Sequence, residues 1–543
     1  MTEETTAFAN ALIFDGVSAV LREGCVRVAA GTIAEVGDGP GPGDRVIDCR
    51  GRTVVPGLID AHFHAYAASL SLLEIETSPL SYLALAGARR LAGALGRGFT
   101  TVRDPGGGDA GLAQAIREGL TPAPRYLFCG PALSQTGGHG DPRPPGLDCC
   151  TGGGHLAEVV DGADALRRAA RERLRCGAHA IKIMASGGVI SPSDPLRVPQ
   201  YSPEEIRAVT EEAARRGSYV AAHAYSAEAI QVAVANGVRS IEHGNLLDAP
   251  AAAVMAGRDA FLVPTLATYD AMERRGAELG LAPVAQAKNR EVLDAGRTAI
   301  TLAREAGVRI GFGTDLMGAL DDEQLHGLRL QAEVEGPLAL LRAATSVNAD
   351  LLGRDDLGRI GPGAAADLLV LDADPLQDPS VLWGGPDRRA VYQAGIRVAE
   401  QDARLELLRR PAMVLWTTTR AQPEAPVQHL LGVLHAGGRA GGRTAQHDPD
   451  QRPAVPDRLE QQAVPGDVGI PGLDPRGAPV RADQRVGVVP PVLVVPVSLR
   501  QVVEPQVHDR PEDRVPHRRE AEREQVGRRG VGRGLGGIRQ PVR

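Results

Sequence analysis

Short apolar segments alternate with amphipathic segments of helical length from about residue 54 to about residue 345, and this alternation restricts the fold more than any other feature. Strands that alternate with helices form parallel sheets, and eight such units predict a (β/α)8 barrel of the TIM type. A doubly wound parallel sheet is the alternative that the alternation leaves open. The predicted strands are Leu58–Asp60, Thr100–Arg103, Tyr126–Phe128, Ala180–Met184, Tyr219–His223, Ser240–His243, Phe261–Pro264 and Arg309–Gly313.

The segments on either side of this region have the pattern of short strands separated by glycine-containing turns. Such strands occur from about residue 5 to residue 57, and they return from about residue 357 to residue 399. The second set reads as the completion of a small β-sandwich that the first set begins. The predicted domains are therefore 1–57 and 351–405 for the two halves of the sandwich, and 58–350 for the barrel.

The composition of the chain changes after about Arg420. From there to residue 543 the chain has no Phe, Tyr, Trp, Cys, Met, Lys or Asn, and it is rich in Pro, Gly, Arg, Gln and Val. Such a segment buries too little apolar surface to offset the entropy of its ordering. Residues 421–543 are therefore predicted to be a low-order, disordered tail rich in Arg, Pro and Gly. Out-of-frame reading of a GC-rich coding sequence is one explanation for such a tail.

Charge and hydropathy exclude several classes of protein. The formal net charge of −7 argues against a nucleic-acid partner, although the last residues are rich in arginine. No segment approaches the roughly 18 consecutive apolar residues of a membrane span. The acidic start of the chain lacks the basic residues of an export signal, and the six cysteines show no CxxC spacing. We expect a cytoplasmic protein with reduced thiols. The sequence does not decide whether the protein forms a homo-oligomer.

Histidine, lysine and aspartate occur at the carboxyl ends of the predicted strands. His62 and His64 are one residue apart on the first strand, so their side chains share one face and can bind one ion together. In a barrel the carboxyl ends of all strands meet on one face, where functional groups collect. The further residues at these ends are Lys182, His223, His243 and Asp315.

Each of these residues also has an ordinary structural explanation. A lone histidine at a strand end is commonly a hydrogen-bonded structural residue, and Asp315 could be the N-cap of a helix. These explanations would require six coincidences at the same end of the strands. The sequence therefore predicts that these residues are metal ligands.

The chain contains only two lysines, Lys182 and Lys288, among 60 basic residues, so arginine serves wherever a general positive charge is needed. Lys182 lies between two isoleucines, where a buried ammonium is costly. A neutral amine is one solution, and a carbamate formed with CO2, whose two oxygens can bridge two metal ions, is the other. The second solution suits a binuclear centre, and histidine and carboxylate ligands favour Zn²⁺. The expected division is His62, His64 and Asp315 at one ion, and His223 and His243 at the other.

The segment Pro-Gly-Leu-Ile-Asp-Ala-His-Phe-His at 56–64, with the strand-end residues above, resembles the amidohydrolase superfamily. The resemblance covers about residues 5 to 400 and implies a (β/α)8 barrel, a flanking β-sandwich from both ends and metal-activated hydrolysis. The motifs at 98–104, 136–141, 181–188 and 361–368 resemble the imidazolonepropionase-like and prolidase-like branch. Several members of that branch hydrolyse dipeptides or N-acyl amino acids. The tail after about Arg420 has no counterpart in this pattern.

The predicted function is hydrolysis of the C–N amide bond of a dipeptide or an N-acyl amino acid by a hydroxide that bridges two divalent metal ions. Asp315 is placed to accept the proton of the nucleophile and to deliver it to the leaving amine. Tyr225 could donate its hydroxyl to the oxyanion or simply pack at the rim. His139, in a glycine-rich loop, could contact the substrate or only hold its loop.

Several alternatives stay open for the substrate. A cyclic-amide or imidazolone hydrolase is the nearest, followed by a metal-dependent deaminase and by a binding protein without turnover. A dipeptidase must also hold a terminal carboxylate, and the sequence does not choose among Arg103, Arg143 and Arg197 for this role.

Overall fold

The computed structural model describes residues 5–144, 146–147, 154–191 and 194–398, which form an α/β fold. The predicted tail at 421–543 and the end of the second sandwich half, 399–405, lie outside these residues. The strands are β1 (Thr6–Ile13), β2 (Arg22–Ala29), β3 (Thr32–Gly37), β4 (Arg45–Asp48), β5 (Thr53–Pro56), β6 (Leu58–Asp60), β7 (Phe99–Asp104), β8 (Arg125–Phe128), β9 (Ala132–Ser134), β10 (Ala157–Val159), β11 (Ile181–Met184), β12 (Val220–Ser226), β13 (Ser240–Leu246), β14 (Phe261–Val263), β15 (Arg309–Ile310), β16 (Leu368–Leu371), β17 (Arg389–Gln393) and β18 (Ile396–Arg397).

Helices occupy most of the connections between the strands from β6 to β15, and they continue up to β16. They are α1 (Leu72–Thr77), α2 (Leu80–Gly96), α3 (Ala110–Arg117), α4 (Ala163–Arg175), α5 (Pro203–Arg215), α6 (Ala227–Ala235), α7 (Ala249–Gly257), α8 (Leu266–Arg275), α9 (Pro283–Leu293), α10 (Ala295–Glu305), α11 (Gln324–Glu335), α12 (Pro337–Arg342) and α13 (Asn348–Leu352). No helix among the described residues has both the length and the apolar character that a membrane span requires.

Strands from both flanks pair in one eight-stranded sheet. β16 from the second flank runs antiparallel to β5 from the first, with Leu368 opposite Pro56 and Leu371 opposite Thr53. The chain therefore returns after the helical region to extend the sheet begun near its start. The folding of this sheet into a two-layer sandwich stays a prediction, as do the domain boundaries at residues 57 and 350.

All eight strands predicted for the barrel are present, and they run parallel within two sheets. One sheet contains β6, β7 and β8, and the other has the order β10-β9-β11-β12-β13-β14-β15. β9 and β10 were not predicted, because each has three residues and they lie in a region rich in Gly and Pro. The strand ladders establish a parallel α/β architecture but do not by themselves form one closed ring.

Backbone hydrogen bonds join the two parallel sheets at their edges. Ala61, which follows β6, donates to the carbonyl of Phe312 after β15 at 2.9 Å. His179, which precedes β11, donates to the carbonyl of Phe128 at the end of β8 at 2.8 Å. The amide of Asp315 donates to the carbonyl of His62 at 2.7 Å. The carboxyl ends of β6 and β15 therefore lie side by side.

Alternation along the inner strands separates core residues from site residues. On β11, Ile181 and Ile183 belong to the core cluster with helix residues such as Ile206, whereas Lys182 lines an interior cavity. Burying an isoleucine stabilises the fold by roughly 1.5–3 kcal/mol. The core on one face of the strand thus holds the lysine on the other face.

The helix α5 shows how local sequence sets the element boundaries. The Ser202 side chain accepts from the Glu205 amide, and the Glu205 side chain accepts from the Ser202 amide, which forms a capping box before Pro203. The helix ends at Arg215, and Arg216 is its C-cap.

Candidate active site

One cavity, with an empty volume of about 690 Å³ that includes its opening to solvent, lies at the carboxyl ends of the inner strands. Apart from the predicted site residues, the described side chains that line it are mainly apolar, and none of them is an arginine. The structure brings to this cavity every residue that the sequence predicts for the site: His62, His64, His139, Lys182, His223, Tyr225, His243 and Asp315.

The Asp315 carboxylate lies among three of these histidines. Its Oδ1 is 3.0 Å from His64 Nε2 and 3.5 Å from His62 Nε2, and its Oδ2 is 3.8 Å from His243 Nδ1. One donor atom each of His62, His243 and Asp315 lies within 4.8 Å of the others, so the three could share a metal ion. Asp315 is not a helix N-cap, because Met317 occupies that position in the short helix that follows.

Each of the four strand-end histidines directs one ring nitrogen to a hydrogen-bond acceptor. Carboxylate and carbonyl oxygens only accept, and the Thr265 hydroxyl donates to Tyr269 and so accepts from His243, which puts the proton of each neutral ring on that nitrogen. The other nitrogen then carries a lone pair, as metal-ligating histidines require. The pairs are His62 Nδ1 with Glu242 (2.7 Å), His64 Nδ1 with the Gly106 carbonyl (2.9 Å), His223 Nε2 with the Gly187 carbonyl (3.0 Å) and His243 Nδ1 with Thr265 Oγ1 (2.8 Å).

Burial and neighbouring charges set the protonation of the histidines. Burial, reinforced by nearby cationic groups, lowers the pKa of His62, His223 and His243 well below the ordinary value. Burial also opposes the charge of His64, but the carboxylates of Asp104 and Asp315 on its two sides raise its pKa to about 9. Three of the four rings are therefore neutral near pH 7, and His64 carries a proton in the metal-free protein.

The Asp315 carboxyl favours its ionised form although it is buried. Burial works against ionisation, but His62 and His64 outweigh it and lower the pKa of the carboxyl below its ordinary value. An ionised aspartate beside neutral imidazoles is the form in which these residues bind cations.

Lys182 is almost completely buried, with 3% of its surface exposed. Among the residues that the structure describes, it has no hydrogen-bond or salt-bridge partner. Burial lowers the pKa of its amine, while Glu242 and Asp315 oppose that shift. The side chain is therefore a poor site for a permanent charge and a good site for a neutral, nucleophilic amine.

A buried carboxylate that the sequence analysis missed supports His62. Glu242, which is fully buried, accepts from His62 and receives Arg103 Nη2 at 2.7 Å on both of its oxygens. The positive φ of His243, +74°, breaks the alternation of β13, so that Glu242 and His243 can both serve the site. Without that break, the alternation places neighbouring residues on opposite faces, which is why Glu242 was overlooked.

None of the three arginines considered for a substrate carboxylate lines the cavity. Arg103 is fully buried against Glu242, so its position does not suit binding of a substrate carboxylate. Arg143 pairs with Asp141, and the largely exposed Arg197 pairs with Glu291. Among the residues that the structure describes, the cavity walls therefore offer a substrate carboxylate hydroxyls, histidines, Lys182 and backbone amides.

Two further buried aspartates, also missed, hold the strand ends in place. Asp104 accepts from the Tyr126 hydroxyl at 2.8 Å and lies 3.5 Å from His64 Nδ1. Asp60 accepts from the backbone amides of His62 (3.0 Å) and Thr314 (3.1 Å), and burial raises its pKa to about 6. Asp60 thereby links the end of β6 to the segment that carries Asp315.

Tyr225 and His139 both lie in the cavity wall. The Tyr225 hydroxyl is 2.9 Å from the hydroxyl of Tyr269, a cavity residue that the sequence analysis did not single out. The His139 ring stacks on His223 with ring centres 4.2 Å apart, and its Nδ1 lies 2.9 Å from Ser191 Oγ. Both side chains can reach a ligand in the cavity, which is the condition for the roles predicted for them.

The part of the chain that forms this site is similar to known proteins. Residues 53–398 match the amidohydrolase family, and this stretch contains every residue that lines the cavity. Ochratoxinase of Aspergillus niger is 33% identical over 355 residues, which cover 60% of this chain and 72% of that protein.

Solved structures show the same relationship. A prolidase complexed with N-methylphosphonate-L-proline is 45% identical with a TM-score of 0.70, and the match covers 72% of this chain and 99% of that one. A Xaa-Pro dipeptidase with bound methionine is 29% identical with a TM-score of 0.65, covering 73% and 99% of the two chains.

Proposed function

The chain belongs to the amidohydrolase family and is a hydrolase of carbon–nitrogen bonds, and we propose that it is a metal-dependent enzyme that cleaves the amide bond of a dipeptide or an N-acyl amino acid. The observation that carries this proposal is the set of four histidines near Asp315 and Lys182, each with one nitrogen bonded to an acceptor. The other nitrogen carries a lone pair in the three neutral rings, and in His64 it does so once the ring loses its proton. The prolidase and Xaa-Pro dipeptidase relatives support a dipeptide substrate.

The donor set fits two divalent cations, and Zn²⁺ suits histidine and carboxylate ligands best. His62, His64 and Asp315 would hold one ion, and His223 and His243 would hold the other. Lys182 would join them as a carbamate, and its burial without a partner supports this chemistry. Bound there, the two cations would lower the pKa of a water molecule and polarise the substrate carbonyl.

Carbamate formation on Lys182 requires only the neutral amine and CO2. The neutral amine nitrogen attacks CO2, a C–N bond forms and one proton is released to solvent. The product carries one negative charge and two acceptor oxygens, so it removes the cost of a buried ammonium and adds ligands. The lowered amine pKa favours the reactive form.

Asp315 would transfer the proton during the reaction, and Tyr225 would donate a hydrogen bond to the substrate. The ionised Asp315 would accept the proton of the attacking water and pass it to the leaving amine nitrogen. The Tyr225 hydroxyl would donate to the oxygen that becomes negative as the carbonyl is attacked. His139, stacked on His223, would contact the substrate.

A chain of hydrogen bonds can orient the Tyr225 hydroxyl for this role. His243 Nδ1 donates to Thr265 Oγ1 (2.8 Å), and Thr265 Oγ1 donates to the Tyr269 hydroxyl (3.5 Å). Tyr269 can then donate to Tyr225 at 2.9 Å, which leaves the Tyr225 proton for the substrate. Each hydroxyl accepts one hydrogen bond and donates one.

We also propose that the two parallel sheets close into a single (β/α)8 barrel. The hydrogen bonds from Ala61 to Phe312 and from His179 to Phe128 support this closure at the two seams. In such a barrel, the carboxyl ends of all eight strands surround the cavity, which is where catalytic groups collect in this architecture.

The proposed function is tested by screening the zinc-loaded protein against dipeptides, N-acyl amino acids and cyclic amides. We expect turnover of acyclic amides, with metal analysis giving close to two ions per chain. Lys182→Ala should lose at least one ion, whereas an active wild-type protein with a single tightly bound ion would contradict the binuclear site. Turnover of cyclic amides alone would replace the proposed substrate class.

A further inference from the structure

The second lysine of the chain, Lys288 on α9, uses all of its donors on one short segment. Its Nζ donates to the carbonyls of Gly188 (3.0 Å), Ser191 (2.8 Å) and Asp194 (2.7 Å). An ammonium has three N–H donors, so these three carbonyls satisfy it completely. The side chain is 15% exposed, which is low for a lysine on a helix. This is a specific binding arrangement for the segment and not a general surface charge.

Residues 188–191 and Asp194, here called the wall segment, lie between β11 and α5 and contribute to the cavity wall. Val189 and Ile190 line the cavity, and Ser191 contacts His139. The Ser191 hydroxyl donates to the Gly188 carbonyl at 3.1 Å, so it must accept from His139 Nδ1. A neutral His139 therefore presents its Nε2 as an acceptor, and this orientation depends on the segment.

A second route connects Lys288 to the backbone of His139. The backbone carbonyl of Asp194 accepts from Lys288. The side-chain Oδ2 of Asp194 accepts from the Gly188 amide (2.9 Å) and from Gln200 Nε2 (3.2 Å). Gln200 Oε1 in turn accepts from the His139 amide at 3.1 Å. Both the ring and the backbone of His139 are thus connected to Lys288.

We propose that Lys288 is a positioning residue: it fixes this wall segment and thereby holds His139 and the apolar wall in the geometry that substrate binding requires. The inference rests on the proposed function for its kinetic test. It also explains why a chain that uses arginine for all but two of its 60 basic residues has a lysine here. The planar guanidinium of arginine directs its donors in one plane and does not match three converging carbonyls.

The test compares Lys288→Met and Lys288→Arg with Arg290→Met, a matched control on the same helix whose side chain is 63% exposed and pairs with Glu273. Both Lys288 variants should lose about tenfold or more in kcat/KM on the best dipeptide, the equivalent of one charge-assisted hydrogen bond. KM should rise and the metal content should stay that of the wild type. Arg290→Met should stay within about twofold of wild type.

Two measurements separate positioning from general destabilisation. Amide hydrogen exchange of the wall segment should speed up in the Lys288 variants and not in the control, with strands such as β12 unchanged. Ser191→Ala should also lower kcat/KM, and its effect should be smaller in the Lys288→Met background, because both changes act on His139.

Unchanged exchange in the wall segment, or kcat/KM within about twofold of wild type for Lys288→Met, would overturn the inference. Should Lys288→Met fail to fold, Lys288→Arg and Ser191→Ala carry the same test. A wild type that cleaves no amide would instead overturn the proposed function, and hydrogen exchange would still decide on Lys288.

Discussion

The two halves of the cavity orient their histidines by different means. In the carboxylate half, His62 donates to Glu242, and His64 lies between Asp104 and Asp315. In the neutral half, His223 donates to a backbone carbonyl and His243 to the Thr265 hydroxyl. The proposed ligands on one side thus have carboxylate neighbours in addition to the Gly106 carbonyl that accepts from His64, whereas those on the other side donate to uncharged groups.

This difference has an energetic consequence. A carboxylate partner makes an imidazole a stronger electron donor than a carbonyl or a hydroxyl does. We therefore expect the carboxylate half to bind its ion more tightly and to keep it longer against a chelator. The arrangement has a cost in folding, because the buried Glu242 carboxylate needs Arg103 as a buried counter-charge.

The largest effect is expected from the residue that contacts both halves. Asp315→Asn keeps the size of the side chain but removes the group that moves the proton, so kcat should fall by about 10³-fold. Most of the metal should remain, as measured by elemental analysis of the purified variant. Undiminished turnover would remove Asp315 from proton transfer, and loss of all metal would make it chiefly a ligand.

A pair of variants tests the comparison itself. Glu242→Gln should weaken metal binding in the carboxylate half by about 10- to 100-fold. It should also lower the free energy of unfolding by about 3–5 kcal/mol, because Arg103 is left as an unpaired buried charge. Thr265→Val in the neutral half replaces one hydroxyl by a methyl group of similar shape. It should lower the free energy of unfolding by only about 1 kcal/mol.

Metal affinity and chemical denaturation of the metal-free proteins measure the two effects separately. Equal losses of affinity in Glu242→Gln and Thr265→Val would show that the charge of the partner does not distinguish the two halves.

The halves should also differ in their response to pH. His64 has a pKa of about 9 in the metal-free protein, so it must lose a proton to bind an ion at pH 7. Affinity in the carboxylate half should therefore rise by up to about tenfold per pH unit from pH 7 to pH 9 and then level off. His223 and His243, whose pKa values lie well below the ordinary value, are already neutral and should release no proton.

Titration calorimetry in two buffers of different ionisation enthalpy counts the protons released. His64→Asn should remove the pH dependence of the carboxylate half. A wild-type protein that binds its first ion without proton release would contradict the charge state assigned to His64.

The six residues that the sequence predicted as metal ligands share one property, their position at the end of an apolar strand. His62, Lys182 and His223 could be found because strand periodicity and the rule for parallel α/β folds place such residues on one face. Glu242 and Asp104 also lie on strands, but their importance comes from partners far away in the chain, such as Arg103 for Glu242. Periodicity within one segment contains no information on those partners.

The role of Arg103 also could not be predicted from periodicity within its own segment. A polar residue near a strand end reads equally well as a substrate-binding group or as a buried counter-charge, and the structure shows the second. The strand pattern also predicted a closed barrel, but closure stays a proposal, because it depends on contacts between the two sheets such as the hydrogen bond from Ala61 to Phe312. Composition and spacing predict which strands exist, whereas three-dimensional contacts decide what supports each ligand.

The smallest effect is expected from removal of the tail, because all the residues proposed for the two halves of the site precede it. The family match ends at residue 398, and Met317 is the last cavity residue in the part of the chain that the structure describes. The prolidase structure is matched over 99% of its length by 72% of this chain, so the tail has no counterpart there. Deleting residues 421–543 should leave kcat/KM and both metal affinities within about twofold of wild type, a change of about 0.4 kcal/mol. A selective loss of one ion would instead show that the tail supports the half that lost it.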